Sequence, residues 1–334
     1  MFYPETGNTK LVPANGKKGS KIAIVGDFSS GYDMNAMRPF SGPAGLILEQ
    51  CLHNAGIIRG ECYITNLIKE KVIYRNKFVD EDKGVFTDAG YQYVESLRDE
   101  LIDINPNIII ALGPASFAAL CSLTHLSMYR GYVFESKLIE GKKVIPTFHP
   151  SQAIRGMYTY RYLIATDMKK AKEESQFPEF RYPDRSLVYS HQSCGDALDW
   201  LRFYENEPLV GFDIEVLNYE VSCISFASSP ELACVIPIVD KWTIDEEMQI
   251  WRAIQRVLGN EKSIKVVQNG MFDIPFLLTH NGVVTRGEIH DTMVGHSIMY
   301  PELPKSLGFL GSIYCGSQPY WKDTVKFKSI KGED

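Results

Sequence analysis

The sequence predicts two α/β domains in succession, the first on a largely parallel sheet and the second on a mixed sheet. Three observations predict this. Up to residue 173, short apolar strands alternate with amphipathic helices, and a parallel sheet needs that order because each crossover requires a helix-length connection. After residue 185, three strand-like runs follow one another across turn-length gaps, as in an antiparallel meander. Between the two halves, Lys172-Glu-Glu-Ser-Gln-Phe-Pro-Glu-Phe-Arg-Tyr-Pro-Asp184 is polar, carries two prolines and keeps no apolar period, so it reads as a linker. The expected boundaries are a first domain at 1–175, a linker at 176–185 and a second domain at 186–334. A length of 334 residues suits two domains of roughly 150 residues each.

In chain order, the apolar run Lys21-Ile-Ala-Ile-Val25 makes a strand at 22–26, followed by a helix at about 43–56 entered at Pro43. A strand at 62–65, a helix at 88–103, a strand at 107–112, a helix at 114–121, a strand at 143–147 and a helix at 159–173 complete the first half. In the second half the meander is Val210–Val216, Cys223–Ala227 and Leu232–Val239. A helix at 244–258, a strand at 264–268 and further helices follow. Lys142-Lys143 reads as a solvated hairpin turn, Tyr158-Thr-Tyr-Arg-Tyr162 as a helix start packing aromatic rings on the linker, and Cys223 and Cys234 as strand-core residues.

Hydrophobic content of 45% and charged content of 23% are those of an ordinary globular protein, not of a disordered chain. Met1-Phe-Tyr-Pro-Glu5 lacks the basic and apolar regions of a signal peptide, and no apolar run nears the ~20 residues that span a bilayer. A cytoplasmic protein with no membrane partner is expected. Seven cysteines without C-x-x-C spacing fit reduced thiols. The net charge of −6 is uneven: residues 1–180 hold 21 Lys and Arg against 20 Asp and Glu, and residues 181–334 hold 14 against 21. The acidic second half argues against a basic DNA clamp there, whereas a carboxylate-rich metal site would have this sign.

In Phe212-Asp-Ile-Glu-Val216 the period of two puts Asp213 and Glu215 on one face of a strand. Two adjacent carboxylates are either solvated acids on an exposed edge or a pair held by a hard divalent cation. The strand at 264–268 leads into Asn269-Gly-Met-Phe-Asp273, which brings a third carboxylate into the first turn of a helix. D-x-E and N-x-x-F-D, continued by His290-Asp-Thr-Met293 and Lys305-Ser-Leu-Gly-Phe-Leu-Gly-Ser-Ile-Tyr314, resemble the ribonuclease H-like DEDD 3′ to 5′ exonucleases that proofread for family A DNA polymerases. The resemblance covers most of residues 187–334. It implies a mixed-sheet fold and hydrolysis by two metals about 4 Å apart, Mg²⁺ or Mn²⁺, with Asp213, Glu215 and Asp273 as ligands. By the same resemblance Asp291 supports the fold, and Asn269 ties the site's backbone together beside the substrate. The family's third motif, Y-x-x-x-D, is not matched: after Ser306 the acids are Asp323, Glu333 and Asp334, and Tyr320-Trp-Lys-Asp323 is one residue short. The expectation is a fragment of a longer polymerase.

In the first half, Asp27 in Val25-Gly-Asp-Phe-Ser-Ser-Gly31, Asn66 in Tyr63-Ile-Thr-Asn66 and His149 in Thr147-Phe-His-Pro-Ser151 all fall at carboxyl ends of strands, where open parallel sheets bind ligands. Taken singly, each is also an ordinary cap, turn or loop residue. In order with Arg38-Pro-Phe-Ser-Gly-Pro-Ala-Gly45 and Ile108–Ala115, they resemble the uracil-DNA glycosylase superfamily, its thermostable bacterial and archaeal branch in particular, across roughly residues 15–175. The resemblance implies an α/β/α fold and a flipped-out base. Phe40 would stack on that base, Asn66 would bond its edge, and His149 would support charge on O2. Amides at the Pro43 helix start would face a phosphate, and Asp27 would position water. Two departures stand out. The branch's G-E-x-P-G is here Gly26-Asp-Phe-Ser-Ser30, and Glu70 stands where a cysteine is common, so no iron-sulfur cluster is expected.

Together the resemblances imply the N-terminal portion of a phage-type polymerase, combining glycosylase-like and exonuclease domains and acting on the single-stranded 3′ end of DNA, uracil-containing DNA included. The polymerase domain would continue in cis or be supplied in trans. The alternative is a catalytically silent DNA-binding or docking module with both sites degenerate.

Overall fold

The computed structural model describes residues 10–72, 74–181, 186–189 and 193–315. The chain forms two compact units: one runs through Arg181 and resumes at Gly308, and the other is the intervening chain ending at Leu307.

The first unit contains β1 (Ile22–Ser29), α1 (Gly31–Ala36), α2 (Pro43–Asn54), β2 (Tyr63–Lys71), β3 (Val79–Asp80), β4 (Val85–Phe86) and α3 (Asp88–Ile104). It continues with β5 (Ile108–Leu112), α4 (Pro114–Cys121), α5 (Leu126–Tyr129), β6 (Phe134–Glu135), β7 (Lys143–Thr147), α6 (Pro150–Ile154) and α7 (Thr159–Glu174). The five-stranded sheet has the order β2-β1-β5-β7-β6, parallel except for β6. Every residue of β5 is buried, which is why Ile108-Ile-Ile-Ala-Leu112 is apolar throughout instead of alternating. From β1 the chain moves outward to β2 and then returns to β5 on the other side of β1, so the topological reversal lies between β1 and β5.

Two local expectations are corrected. Lys143 is not a solvated turn residue: it opens β7 and is fully buried. Its ammonium donates to the Glu174 carbonyl at 2.7 Å, the Glu174 carboxylate at 2.8 Å and the Phe177 carbonyl at 2.8 Å, and lies 3.8 Å from the Phe177 ring centroid. A lysine can be buried when its donors are taken up in this way, and here the start of the linker supplies the acceptors. Tyr160 packs on Phe148, with ring centroids 3.9 Å apart and planes at 8°, not on the linker.

The second unit contains β8 (Ser186–Tyr189), α8 (Cys194–Glu205), β9 (Leu209–Leu217), β10 (Glu220–Ala227), β11 (Leu232–Pro237) and α9 (Ile244–Gly259). β12 (Ile264–Val267), α10 (Gly270–Asn281), β13 (Ile289–Asp291) and α11 (Thr292–Met299) follow. Its mixed sheet has the order β13-β12-β9-β10-β11-β8, with the antiparallel meander β9-β10-β11 at the centre and β12 parallel to β9. Inward residues of β9 (Val210, Phe212, Ile214) pack in one core with Leu201 and Tyr204 of α8 and Ile250, Ile254 and Leu258 of α9. Helix α8 is absent from the sequence reading, although its Ser193-x-x-Asp196 start is a capping signal, and the Ser193 hydroxyl does accept from the Asp196 amide at 3.1 Å.

Helix α12 (Leu307–Tyr314) follows, and from Gly308 onward it belongs to the first unit. Tyr132 Oη donates to the Gly308 carbonyl at 2.6 Å and Arg130 to Ser312 Oγ at 2.7 Å. Arg130 is itself paired with buried Asp167 at 3.2 Å. The acids at Asp323, Glu333 and Asp334 and the Tyr320 stretch lie outside the described residues. Among the described residues no helix is long and apolar enough to cross a membrane.

Candidate functional site

Phe40, Asn66 and His149, about 25 to 110 residues apart in sequence, line one cavity of about 310 Å³ in the first unit, together with Phe28, Tyr32 and Asp33. Phe40 has a left-handed backbone (φ 53°), which costs a non-glycine residue energy and must be held in place. Arg59 donates to the Pro39 carbonyl at 2.9 Å and the Phe40 carbonyl at 3.4 Å. Buried Asp33 accepts from the Ser41 amide at 2.7 Å and the Ser30 amide at 2.8 Å, joining the loop after β1 to the Phe40 loop. Gly45 lets α2 approach, since a Cβ there would lie 1.9 Å from the Phe40 carbonyl oxygen. The Phe40 ring packs against the His149 ring with centroids 5.7 Å apart.

Asn66 lies on β2 opposite Gly26 of β1. Its Nδ2 donates to Ser29 Oγ at 3.2 Å, whereas its buried Oδ1 has no hydrogen-bond partner. A Cβ on Gly26 would sit 2.3 Å from that oxygen and 2.5 Å from Phe40 Cζ, so only glycine leaves room for this arrangement. His149 caps α6: its Nδ1 accepts from the Ser151 amide at 3.2 Å and meets Ser151 Oγ at 2.8 Å. Because an amide can only donate, Nδ1 is the acceptor and the neutral ring carries its hydrogen on Nε2. Burial, reinforced by Arg75 and Arg155, pushes the imidazole down to about 4, so the ring is neutral at physiological pH.

Asp27 is not among the residues lining this cavity. Its Oδ1 accepts from the Ser116 amide at 2.8 Å, in the first turn of α4, and a Cβ on Gly113 (φ 113°) would lie 2.1 Å from its Oδ2. The carboxyl therefore closes the start of α4, whose cap position is a glycine with no side chain to do so, at the sheet's topological reversal. Burial pushes Asp27 up to about 7, with Glu81 adding to the rise and the Ser116 amide opposing it. An acid raised on folding is most stabilising below its unfolded value of about 3.9, and that stability drains away as the pH climbs to about 7. The whole shift corresponds to on the order of 4 kcal/mol. Asp27→Asn keeps an acceptor for Ser116 without the charge, so its melting temperature should gain on the parent's between pH 5 and pH 8. Parallel curves would show that Asp27 does not titrate in this range.

Asp33, Arg59 and Tyr32 are missing from the sequence reading, where Ser29 entered only as a departure from the G-E-x-P-G pattern. Only Asp33 left a local signal, the capping box Ser30-x-x-Asp33 that the structure forms in full. Glu70 accepts from Tyr93 Oη at 2.7 Å.

In the second unit, Asp213 and Glu215 share the exposed face of β9, as the period of two requires, while Phe212 and Ile214 point inward. Asp273, buried in the first turn of α10, accepts from the Ile214 amide at 3.2 Å, between the two acids in sequence. Burial raises its carboxyl, and Asp291 and Glu215 push it further in the same direction. Hard oxygen donors of this kind suit a hard divalent cation. Among the described residues, however, no three His, Cys, Asp or Glu side chains are grouped closely enough to hold a metal as they stand. Asp291 accepts from the amides of Asn269 (3.1 Å), Gly270 (2.8 Å) and Met293 (2.8 Å), so it joins the starts of α10 and α11. Asn269 (φ 61°) makes no side-chain cap on α10 and enters this junction through its backbone.

Residues 13–172 match the family model of the uracil DNA glycosylase superfamily. The type-4 uracil-DNA glycosylase of Thermotoga maritima is 30% identical over 165 residues, covering 49% of this chain and 82% of that protein. The chain belongs to the uracil-DNA glycosylase superfamily. Its glycosylase-family domain is followed by a 3′–5′ exonuclease domain, matched over residues 190–329. The DNA polymerase of Bacillus phage SP01 is 23% identical over 98% of this chain, and the chain spans 38% of that polymerase's length. Among solved structures, RNase D of Trypanosoma brucei aligns with 44% of this chain and 53% of its own at 14% identity, with a TM-score of 0.36. Both families are hydrolytic, and DEDD-type exonucleases use divalent metal ions.

Proposed function

We propose that the glycosylase-family domain binds a base turned out of DNA and cleaves the glycosidic bond of deoxyuridine. We further propose that the exonuclease domain removes nucleotides from a single-stranded 3′ end. The observation that carries the first reading is the buried, unpartnered Asn66 Oδ1 in a cavity lined by aromatic side chains and a neutral histidine. Uracil completes this site: Phe40 offers a stacking surface, Asn66 Oδ1 accepts from the ring N–H, and His149 Nε2–H donates to O2 as negative charge develops there. A neutral histidine does this without needing protonation, so excision should not fall merely because the pH rises from 5 to 7. Asp27 serves as a positioning residue, tying the end of β1 to α4 so that Gly26 and Phe28 frame the cavity.

In the exonuclease domain, Asp213, Glu215 and Asp273 would hold Mg²⁺ or Mn²⁺. Bound cations there would activate water and stabilise the departing 3′ oxygen. Ile214 and Asp291 do the protein's own share, one fixing the Asp273 carboxylate and the other the backbone entering α10. The similarity to a phage polymerase supports DNA as the common substrate, with a polymerase domain in cis or in trans and a cytoplasmic setting in the host. The test uses single-stranded oligonucleotides with and without one uracil. In EDTA, alkali-labile sites should form only at uracil; with Mg²⁺, both strands should shorten from the 3′ end. No abasic site at enzyme excess would overturn the first reading, and no metal-dependent shortening the second.

A further inference from the structure

The geometry points to a second ligand site in the glycosylase-family domain, a cavity at the amino-terminal ends of its strands that takes the phosphate of a nucleotide, free or within a DNA strand. The cavity has a volume of about 480 Å³, within the ~300–1,000 Å³ usual for small-ligand sites. It lies between the loop before β1, the connection from α2 to β2 and the end of α7, and it shares no lining residue with the base cavity. Its test is therefore independent of the base-pocket reading.

Charge selects the ligand. Lys17, Lys18, Lys21 and Lys172 line the cavity against one acid, Glu61. Lys18 is paired with Asp103, whereas among the described residues Lys17, Lys21 and Lys172 enter no ion pair. The loop Gly16-Lys-Lys-Gly-Ser-Lys21 is held close to the start of β2, since a Cβ on Gly16 (φ 147°) would lie 2.6 Å from the Cys62 carbonyl oxygen. Buried Ser20 closes its turn by donating to the Lys17 carbonyl at 2.8 Å. Gly56 (φ 66°) leaves room at the cavity wall for the Lys172 ammonium, which a Cβ there would meet at 2.8 Å. A lysine in the last turn of α7 also suits the helix dipole, but Lys17 and Lys21 end no helix. The carbonyls that could have drawn a cation here are taken: that of Lys172 by Ser175 Oγ at 2.7 Å and Gln176 Nε2 at 3.1 Å, and that of His53 by the Gly56 amide at 2.9 Å. Three such cations exceed what one carboxylate neutralises and match the roughly 1.5 to 2 negative charges of a phosphate monoester, or the successive charges of a strand. Ile57 and Ile58, the second 63% exposed, add an apolar wall for the sugar or base.

The test uses the full-length protein in EDTA with its isoleucine methyl groups labelled for NMR, and dTMP, thymidine and an oligothymidylate as probes. The phosphate-bearing probes should move the methyl signals of Ile57 and Ile58, and thymidine should leave them in place. The triple variant Lys17→Ala, Lys21→Ala, Lys172→Ala should melt like the parent, because all three side chains are exposed, and bind at least tenfold more weakly at this site. Ile154, which lines the base cavity, and Ile214, whose amide meets Asp273, report separately on binding at the other two sites. Tighter binding of dTMP than of the oligonucleotide names a free nucleotide as the occupant. Tighter binding of the oligonucleotide, with a logarithmic salt slope shallower by about two in the triple variant, names a strand. Shifts at Ile57 and Ile58 that persist in the triple variant, equal shifts with thymidine, or none with any probe overturn the inference.

Discussion

Asn66→Ala is expected to lower kcat/KM for uracil excision roughly 10³-fold while leaving 3′ shortening of ordinary DNA unchanged. Among the described residues, Asn66 Oδ1 is the one buried side-chain polar atom of the cavity lining without a hydrogen-bond partner, and a bound base would complete it. Truncation removes that acceptor and the amide that bonds Ser29, so both affinity and orientation suffer. The effect should be confined to base chemistry, because Asn66 lies on the central sheet of the glycosylase-family domain and that domain's strand pairing uses its backbone, which alanine retains. Steady-state excision assays together with thermal melting check this. A variant that melts like the parent and excises uracil at the parental rate would remove Asn66 from the site.

Asp213→Ala is expected to reduce metal-dependent 3′ shortening by more than about 10²-fold, with uracil excision in EDTA unaffected. Residues that merely orient metal ligands typically cost 10- to 100-fold when removed, so a direct ligand should cost more. The exposed position of Asp213 on β9 makes the fold tolerant of the change: the core side chains of the strand are Val210, Phe212 and Ile214, and none is altered. Asp273→Asn is a less clean test, since Asp273 also accepts the Ile214 amide and is buried. Parental nuclease activity in Asp213→Ala, measured at saturating Mg²⁺, would show that the β9 acids are not the metal ligands.

Much of the architecture was legible in the sequence because it follows from local periodicity. The apolar runs of β1, β5 and β7 and the helices α2, α3, α4 and α7 lie within a few residues of their expected bounds. The period of two also placed Asp213 and Glu215 on one face, as observed. Helix α8 was missed despite its local cap, whereas elsewhere a tertiary contact had overridden a local rule. Lys143 looked like a solvated turn lysine because nothing nearby in sequence announces Glu174 and Phe177, which bring its acceptors from over 30 residues away. Helix α12 follows the exonuclease motifs in sequence, yet its Ser312 and Gly308 pair with Arg130 and Tyr132.

The sequence by itself determined most of the strand and helix order, the two families and the residue types at each site, since these depend on side-chain chemistry and spacing along one chain. Only the tertiary structure decided which way each functional group faces. Asp27, one residue beyond Gly26, turns to the start of α4 because Gly113 and the Ser116 amide wait there. Phe40, Asn66 and His149 share a cavity because Arg59, Asp33 and Gly45 hold a strained loop over the strand ends. Side-chain direction at a strand end is set by the groups that the neighbouring strands and helices bring to it, and one chain position carries no record of them.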